Sequence, residues 1–486
     1  MKKLTGLILV LFILPFTQSL YSQNSFVPDW VKDAIFYQIF PERFYNGDTT
    51  NDPPNVENWS ADPKYYNYFG GDLQGVIQKL DYIQSLGVNA IYFNPIFESN
   101  SNHKYHTKDY FQIDDNFGDD ETFKKLIEEC HKRGIRVVID GVFNHTGIDF
   151  FAFQDIVKNE KNSRYLHWYK VHSFPVQLPP AKPNYEAWWG IGDLPKLMTD
   201  EPDVRKYLFD ATRKWTEMGI DGWRLDVPNE MSHDFWIEWR KLVKSINPDC
   251  YIVGEIWEDA SPWLKGDQFD AVMNYLFRDA VNLYFVFNKI NIHQFDSILS
   301  IPRKYPLESQ YALQNLLGSH DTERFLTLTG GNIEKVKLAV LFQMTYIGAP
   351  MIYYGDEIGM MGGKDPDCRR TMLWDTLRWN RDLQNYYKKL INIRNQFPSL
   401  RRGNFNTILK DQKNNIYAFT REIQNEKAII ILNNSNECKN LKLISPFKSV
   451  KTWNDVLSRK KYKQENTIIN IKNIPPMNGI ILISRR

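Results

Sequence analysis

Short apolar runs alternate with amphipathic stretches through most of this chain. Runs at 34–40, 90–94, 136–142, 222–227, 251–256, 270–275, 316–319 and 350–355 have the length and composition of buried strands. Between them, 76–86, 121–133, 204–218, 234–246, 333–344 and 383–395 repeat their apolar residues at helical spacing. Strand alternating with helix predicts a parallel sheet covered by helices, and eight such strands predict a (β/α)8 barrel of the α/β class. The rhythm breaks twice. Residues 146–199, after the third strand, are rich in aromatics and Pro, as in Phe174-Pro175 and Trp188-Trp189-Gly190, and show no helix-length period. An insertion there falls on the rim where barrel active sites form, so it predicts a small domain walling a cleft. Beyond 397 the texture changes to runs such as Ile416-Tyr417-Ala418-Phe419, which predict a C-terminal antiparallel β-sandwich over 398–486. The barrel itself is thereby split into 23–145 and 200–397.

Three of the strand-like runs end in a carboxylate: Asp226 in Gly222-Trp223-Arg224-Leu225-Asp226-Val227, Glu255 in Tyr251-Ile252-Val253-Gly254-Glu255-Ile256-Trp257, and Asp321 in Leu316-Leu317-Gly318-Ser319-His320-Asp321. A charge at the end of a buried strand is costly unless it has a task or a partner. Three on the fourth, fifth and seventh strands are expected to converge on one rim of a barrel. Such a set suits glycosidic cleavage, where one carboxylate attacks the sugar and a second acid protonates the leaving oxygen. Arg224, two residues before Asp226, points to the same strand face and keeps that carboxyl ionised; the plainer alternative is a structural Arg–Asp pair. Glu255 needs a raised pKa to act as the acid, with neighbouring carboxylates and Trp257 as contributors.

These segments, together with Asp140-Gly141-Val142-Phe143-Asn144-His145, resemble the short motifs of the alpha-amylase family of glycoside hydrolases, in the same order. Gln38-Ile39-Phe40-Pro41-Glu42-Arg43-Phe44, Leu194-Pro195-Lys196-Leu197, Val227-Pro228-Asn229-Glu230 and Asp365-Pro366-Asp367-Cys368-Arg369-Arg370 resemble the neopullulanase, cyclomaltodextrinase and maltogenic amylase branch. The resemblance runs from about Ile35 to the C-terminus. It implies a retaining hydrolase of α-1,4 bonds in cyclodextrins, pullulan, starch or malto-oligosaccharides. Asp226 would be the nucleophile, Glu255 the acid, and Asp321 with His320 would stabilise the distorted sugar. His103, Tyr105 and His145 match positions lining the same sugar subsite, as do Asp365 and Arg369. Asn229 and Glu230 resemble the branch's marker for accepting α-1,6 bonds, although Pro228 replaces the usual Ala, and His106 stands where an Asp is usual. A maltogenic amylase or α-glucosidase with strong transglycosylation is the alternative within this class. A non-catalytic glucan-binding relative is the alternative outside it, and would lack the three carboxylates.

Asn46, Asp48, Asn51 and Asp52, with Gly70 and Asp72 downstream, offer clustered hard oxygen ligands. The resemblance implies a structural calcium there; by composition alone this is an Asn/Asp-rich turn. A formal net charge of +2 gives no basis for recruiting nucleic acid. The 14 Trp, 26 Tyr and 30 Phe predict an aromatic core with some rings left as sugar-stacking surfaces. Lys2-Lys3 and the apolar stretch that follows resemble an export signal over 1–22, cleaved before Gln23, with an uncleaved anchor as the alternative. No later segment has transmembrane length, so the exported protein, periplasmic or secreted, is expected free of the membrane. Cys130, Cys250, Cys368 and Cys438 lack the spacing of a disulfide framework or a zinc site. The branch often carries an extra N-terminal β domain that completes a partner's site. Here the signal runs almost straight into the barrel, so oligomeric state is left open.

Overall fold

The computed structural model describes residues 25–485, and the expected export signal lies outside them. Eight strands form one parallel sheet: β1 (Phe36–Ile39), β2 (Ala90–Phe93), β3 (Arg136–Gly141), β4 (Gly222–Leu225), β5 (Tyr251–Gly254), β6 (Ala271–Val272), β7 (Gln314–Leu316) and β8 (Ala349–Tyr353). Their order is β6-β5-β4-β3-β2-β1-β8-β7, and a parallel bridge between Met273 and Gln314 closes the ring. The strands are buried on both faces, which is why they read as continuous apolar runs rather than alternations.

The helices outside follow from local signals. Leu73–Leu86 starts at Asp72, whose carboxylate accepts the Gly75 amide, and stops at Gly87 in the left-handed conformation. Pro202–Met218 starts on Pro at its first position and ends at left-handed Gly219. Fully buried Trp215, Trp223, Trp236 and Trp239 fill the space between barrel and helices, as the aromatic content predicts.

Three expectations need correction. The sixth strand was expected over 270–275, but only Ala271–Val272 is strand, because the Asn274 side chain accepts the Phe277 amide and turns the chain into a helix. The seventh lies earlier than 316–319. Its buried Gln314 and Asn315 disguise it in sequence, and Asn315 is satisfied inside by Asn274 and the Ile347 carbonyl. The insertion contains a helix, Phe151–Asn159, burying Ala152, Phe153 and Ile156. It has no side-chain cap at its start, so the usual start signal is missing.

The rest of the insertion is held by isolated antiparallel bridges, His145 to Lys196 and Ala187 to Pro195 among them, which pin it beside the end of β3. C-terminal strands β9 (Asn404–Asp411), β10 (Ile416–Ile423), β11 (Glu426–Asn433), β12 (Lys439–Ile444), β13 (Thr452–Asp455), β14 (Lys461–Glu465), β15 (Ile468–Ile474) and β16 (Asn478–Arg485) pair antiparallel. They enclose a separate core of Ile416, Ile429, Ile431, Trp453, Ile471 and Leu482. The alternate residues, such as Phe419 and Ile430, pack on the barrel. Among the described residues no helix is long and apolar enough to cross a membrane, and all four cysteines are free.

Candidate active site

Strand register builds the site. Asp140 on β3 and Arg224 on β4 are direct partners across the sheet, so their side chains share one face. Arg224 Nη1 stands 3.0 Å from both Asp140 oxygens. One residue beyond the paired ends, Asp226 donates its amide to the Gly141 carbonyl, and Glu255 donates its amide to the Leu225 carbonyl. The two carboxylates therefore leave adjacent strands side by side. Arg224 Nη1 also donates to Asp226 Oδ1 at 2.8 Å, and Nη2 lies 2.7 Å from Glu255 Oε2 as an ion pair without hydrogen-bond alignment.

Val227, just past Asp226, sits at φ 35°, a left-handed conformation that a β-branched residue rarely adopts. Its amide is thereby presented to Glu255 Oε2 at 3.2 Å. Trp257 Nε1 donates to the other Glu255 oxygen at 3.1 Å, and its ring stacks on Tyr275 with centroids 3.7 Å apart. Burial pushes the Glu255 carboxyl above its usual range, and the Asp321 charge adds to this while Arg224 opposes it. Burial also raises Asp226 and takes Asp140 to about 6, again against Arg224.

The sugar-binding candidates gather around these groups. The Tyr105 and His320 rings are parallel to within 7°, with centroids 5.4 Å apart. The Tyr105 hydroxyl contacts Asp140 Oδ2 at 3.1 Å and His320 Nε2 at 2.6 Å. His320 Nε2 is 3.1 Å from Asp321 Oδ2, and its Nδ1 faces the Gln38 amide at 2.9 Å. Arg369 holds the His320 carbonyl at 2.9 Å and pairs with Asp365 at 3.2 Å and Asp321 at 3.4 Å. His103 accepts the Tyr105 amide and meets His106 edge-on at 4.8 Å. Burial lowers the pKa of His103 and His320 well below the usual value, and that of His145 to about 3, so all three are neutral near pH 7.

One cavity of about 610 Å³ is lined by Asp226, Glu255 and Asp321 together with His103, Tyr105, His145, Asn229, Glu230, His320, Asp365 and Arg369. Arg224 lies beneath it, fully buried. Glu230 Oε2 is 2.7 Å from Lys196 Nζ, which ties the loop after β4 to the inserted wall. Sequence reasoning did not assign Asp140, Trp188, Trp189, Ile191 or Leu194 to the site. Asp140 had a signal, since it too ends a strand-like run. The wall residues were marked only collectively, by the aromatic insertion and the motif that begins at Leu194, because their individual places depend on how the insertion folds.

The metal candidates also come together. The Asn46 amide donates to Asp52 Oδ1 at 2.7 Å, and Gly70, at φ 77°, has no room for a side chain against Asn46 and Asp52. Asp72 Oδ2 accepts the amides of Gly47 and Asp48, and Asp48 Oδ1 accepts from Thr50. Asn46 Oδ1 and Asn51 Oδ1 are buried acceptors with no donor. Two orphaned oxygens beside two carboxylates fit a hard cation. Among the described residues no group of three His, Cys, Asp or Glu forms a metal cluster; this candidate is amide-rich.

A barrel with this carboxylate set defines a glycoside hydrolase, and comparison with known proteins agrees. The alpha-amylase catalytic-domain model matches residues 38–403, and the chain belongs to that family. Neopullulanase 2 of Thermoactinomyces vulgaris is 50% identical over 463 residues, covering 94% of this chain and 79% of that protein. A cyclomaltodextrinase of Thermoanaerobacter pseudethanolicus is 47% identical over 450 residues, covering 92% and 77%. Among solved structures, the ligand-free cyclic α-maltosyl-(1→6)-maltose hydrolase of Arthrobacter globiformis superposes with a TM-score of 0.86 at 39% identity, covering 95% of this chain and all of that one. Within the family, this is a neopullulanase/cyclomaltodextrinase-like α-glucan hydrolase.

Proposed function

We propose that this enzyme cleaves α-1,4-glucosidic bonds with retention of configuration, accepts α-1,6 bonds as well, and acts on cyclodextrins, pullulan, starch or malto-oligosaccharides. Asp226 attacks the anomeric carbon while Glu255 gives its proton to the departing glycosidic oxygen, leaving a glycosyl ester on Asp226. Glu255, now a carboxylate, takes a proton from water, whose oxygen attacks the same carbon and releases Asp226. A sugar hydroxyl in place of that water gives transglycosylation. His320, Asp321, Asp365 and Arg369 hold the sugar hydroxyls, and Tyr105 stacks on the ring.

The observation that carries this reading is the shared grip of Arg224 on Asp226 and Glu255. Two carboxylates on one guanidinium stand close together. That fits the separation of about 5–5.5 Å in a retaining pair better than the roughly 6.5–9.5 Å of an inverting one. Of these two carboxylates only Asp226 takes an aligned Arg224 hydrogen bond. Burial raises both, Asp226 well above its usual range, and the reaction requires the proton they share to sit on Glu255. With the proton there, the acid is protonated and the nucleophile charged when substrate arrives. The test is NMR of the first products from cyclodextrin, pullulan and starch. α-Anomers appearing first support the reading, and β-anomers first, or no cleavage of any of the three, overturn it.

Asn46, Asp48, Asn51, Asp52, Gly70 and Asp72 would hold a structural calcium. A carboxylate has lone pairs beyond those its amide bonds use, so Asp72 remains available. The ion would fix the loop in front of the Leu73–Leu86 helix and takes no part in bond cleavage. Chelation should lower Tm by a few degrees and added calcium should restore it. An unchanged Tm, with no calcium in the purified protein, leaves only the turn. Export rests on residues 1–22, and a mature N-terminus at Gln23 by mass spectrometry is its test.

A further inference from the structure

Trp189 is placed as few tryptophans are. Its backbone lies at φ 50° and ψ 22°, in the left-handed region that bulky side chains avoid. Its ring is 80% exposed and yet lines the catalytic cavity. The ring lies parallel to Trp188, with centroids 4.8 Å apart and planes at 13°, and Trp188 in turn stacks on His145 at 5.6 Å and 24°. Trp188 Nε1 and His145 Nε2 have no hydrogen-bond partner in the protein. A strained backbone, an exposed indole and two unpartnered ring nitrogens all oppose stability, so the fold alone gives no reason for the arrangement. The stack does achieve one thing: it holds a flat apolar face outward from the inserted wall, two rings beyond His145. A glucose ring presents a matching apolar face of C–H groups.

We infer that Trp189 is a specificity-determining platform for a glucose unit remote from the scissile bond, selecting long or cyclic α-glucans over short ones. The inference rests on the α-glucan reading above and extends it to the outer cleft. The experiment compares wild type, Trp189→Gly and Trp189→Phe on maltoheptaose, β-cyclodextrin and maltotriose. Glycine suits the left-handed backbone, so Trp189→Gly should fold with a Tm at or above that of the wild type. Its kcat/KM on maltoheptaose and β-cyclodextrin should fall about ten-fold, mainly through KM, as expected for loss of one aromatic stacking surface. On maltotriose the change should stay within about two-fold, and Trp189→Phe should recover most of the loss. Equal losses on all three substrates, or no loss on the long ones, overturn the inference. Calorimetry of maltoheptaose binding in an Asp226→Asn background reads the platform without turnover. Unchanged affinity on adding Trp189→Gly there overturns it as well. Wild-type protein that cleaves none of the three fails the hydrolase reading instead, and the calorimetric arm still decides the platform.

Discussion

The floor and the wall of the cavity are built on opposite plans. On the floor, Asp140, Arg224, Asp226 and Glu255 are buried at the ends of adjacent barrel strands, fixed by register and bound to one guanidinium. On the wall, the Trp188–Trp189 stack and the Lys196–Glu230 pair belong to a segment held by single bridges, with an exposed ring and a partly exposed ion pair. Bond cleavage needs atoms placed to a fraction of an ångström, and strand ends supply that. Choosing among glucans needs contacts that vary without disturbing the chemistry, and a loop wall supplies those. The floor should therefore be intolerant of change, while the wall should alter selectivity at nearly constant turnover.

The strongest way to break this contrast is Asp226→Asn, which keeps the shape and removes the attacking charge. Turnover should fall by several orders of magnitude while substrate still binds. Retention of more than about a tenth of wild-type kcat contradicts its role. Arg224 comes next. Arg224→Met leaves buried carboxylates without their cation and should cost about 3–5 kcal/mol of stability. Arg224→Lys restores the charge at one point of contact only, so Tm should largely recover while kcat stays roughly a hundred-fold low. Recovery of both would reduce Arg224 to a simple counter-charge.

On the wall, Glu230→Ala should change the ratio of α-1,6 to α-1,4 cleavage about ten-fold, read from products of panose and maltotriose. The lost bond is to a charged group but at a partly exposed position, so the lower end of its range, roughly 1.5 kcal/mol, applies. An unchanged ratio makes Glu230 a spectator. The smallest effect is in the pH profile. Glu255 must be protonated to act, and its pKa stands above the usual range, so kcat/KM should fall as pH rises through that value. Asp321→Asn removes a negative neighbour, which lowers the Glu255 pKa. The alkaline limb of the residual activity should therefore move to lower pH; a limb that stays put or moves up contradicts the coupling.

The floor was legible in the sequence because a carboxylate closing an apolar run stands out, and because strand periodicity already places Arg224 and Asp226 on one face. Asp140 carried the same signal, but its task depends on pairing with Arg224 across two strands 84 residues apart, which only the register reveals. The short sixth strand was obscured by Asn274, which serves as a helix cap where a strand residue was expected. The seventh was hidden by the buried polar residues Gln314 and Asn315, of which Asn315 is satisfied internally. The wall was legible only as an aromatic insertion. Nothing local announces that Trp189 adopts a left-handed backbone, since that conformation is imposed by the chain folding back between Ala187 and Pro195.

The central claim is that Asp226 and Glu255, held by one guanidinium, divide the labour of nucleophile and acid. It is tested most directly by trapping the intermediate. A fluorinated glucosyl fluoride that forms the glycosyl ester but hydrolyses it slowly should add one sugar mass to the protein. Peptide mapping should place that sugar on Asp226, and Glu255→Gln should still accumulate the adduct because fluoride leaves without a proton. A stable adduct on any other carboxylate, or complete turnover of the reagent to β-configured product with no adduct, would contradict the account.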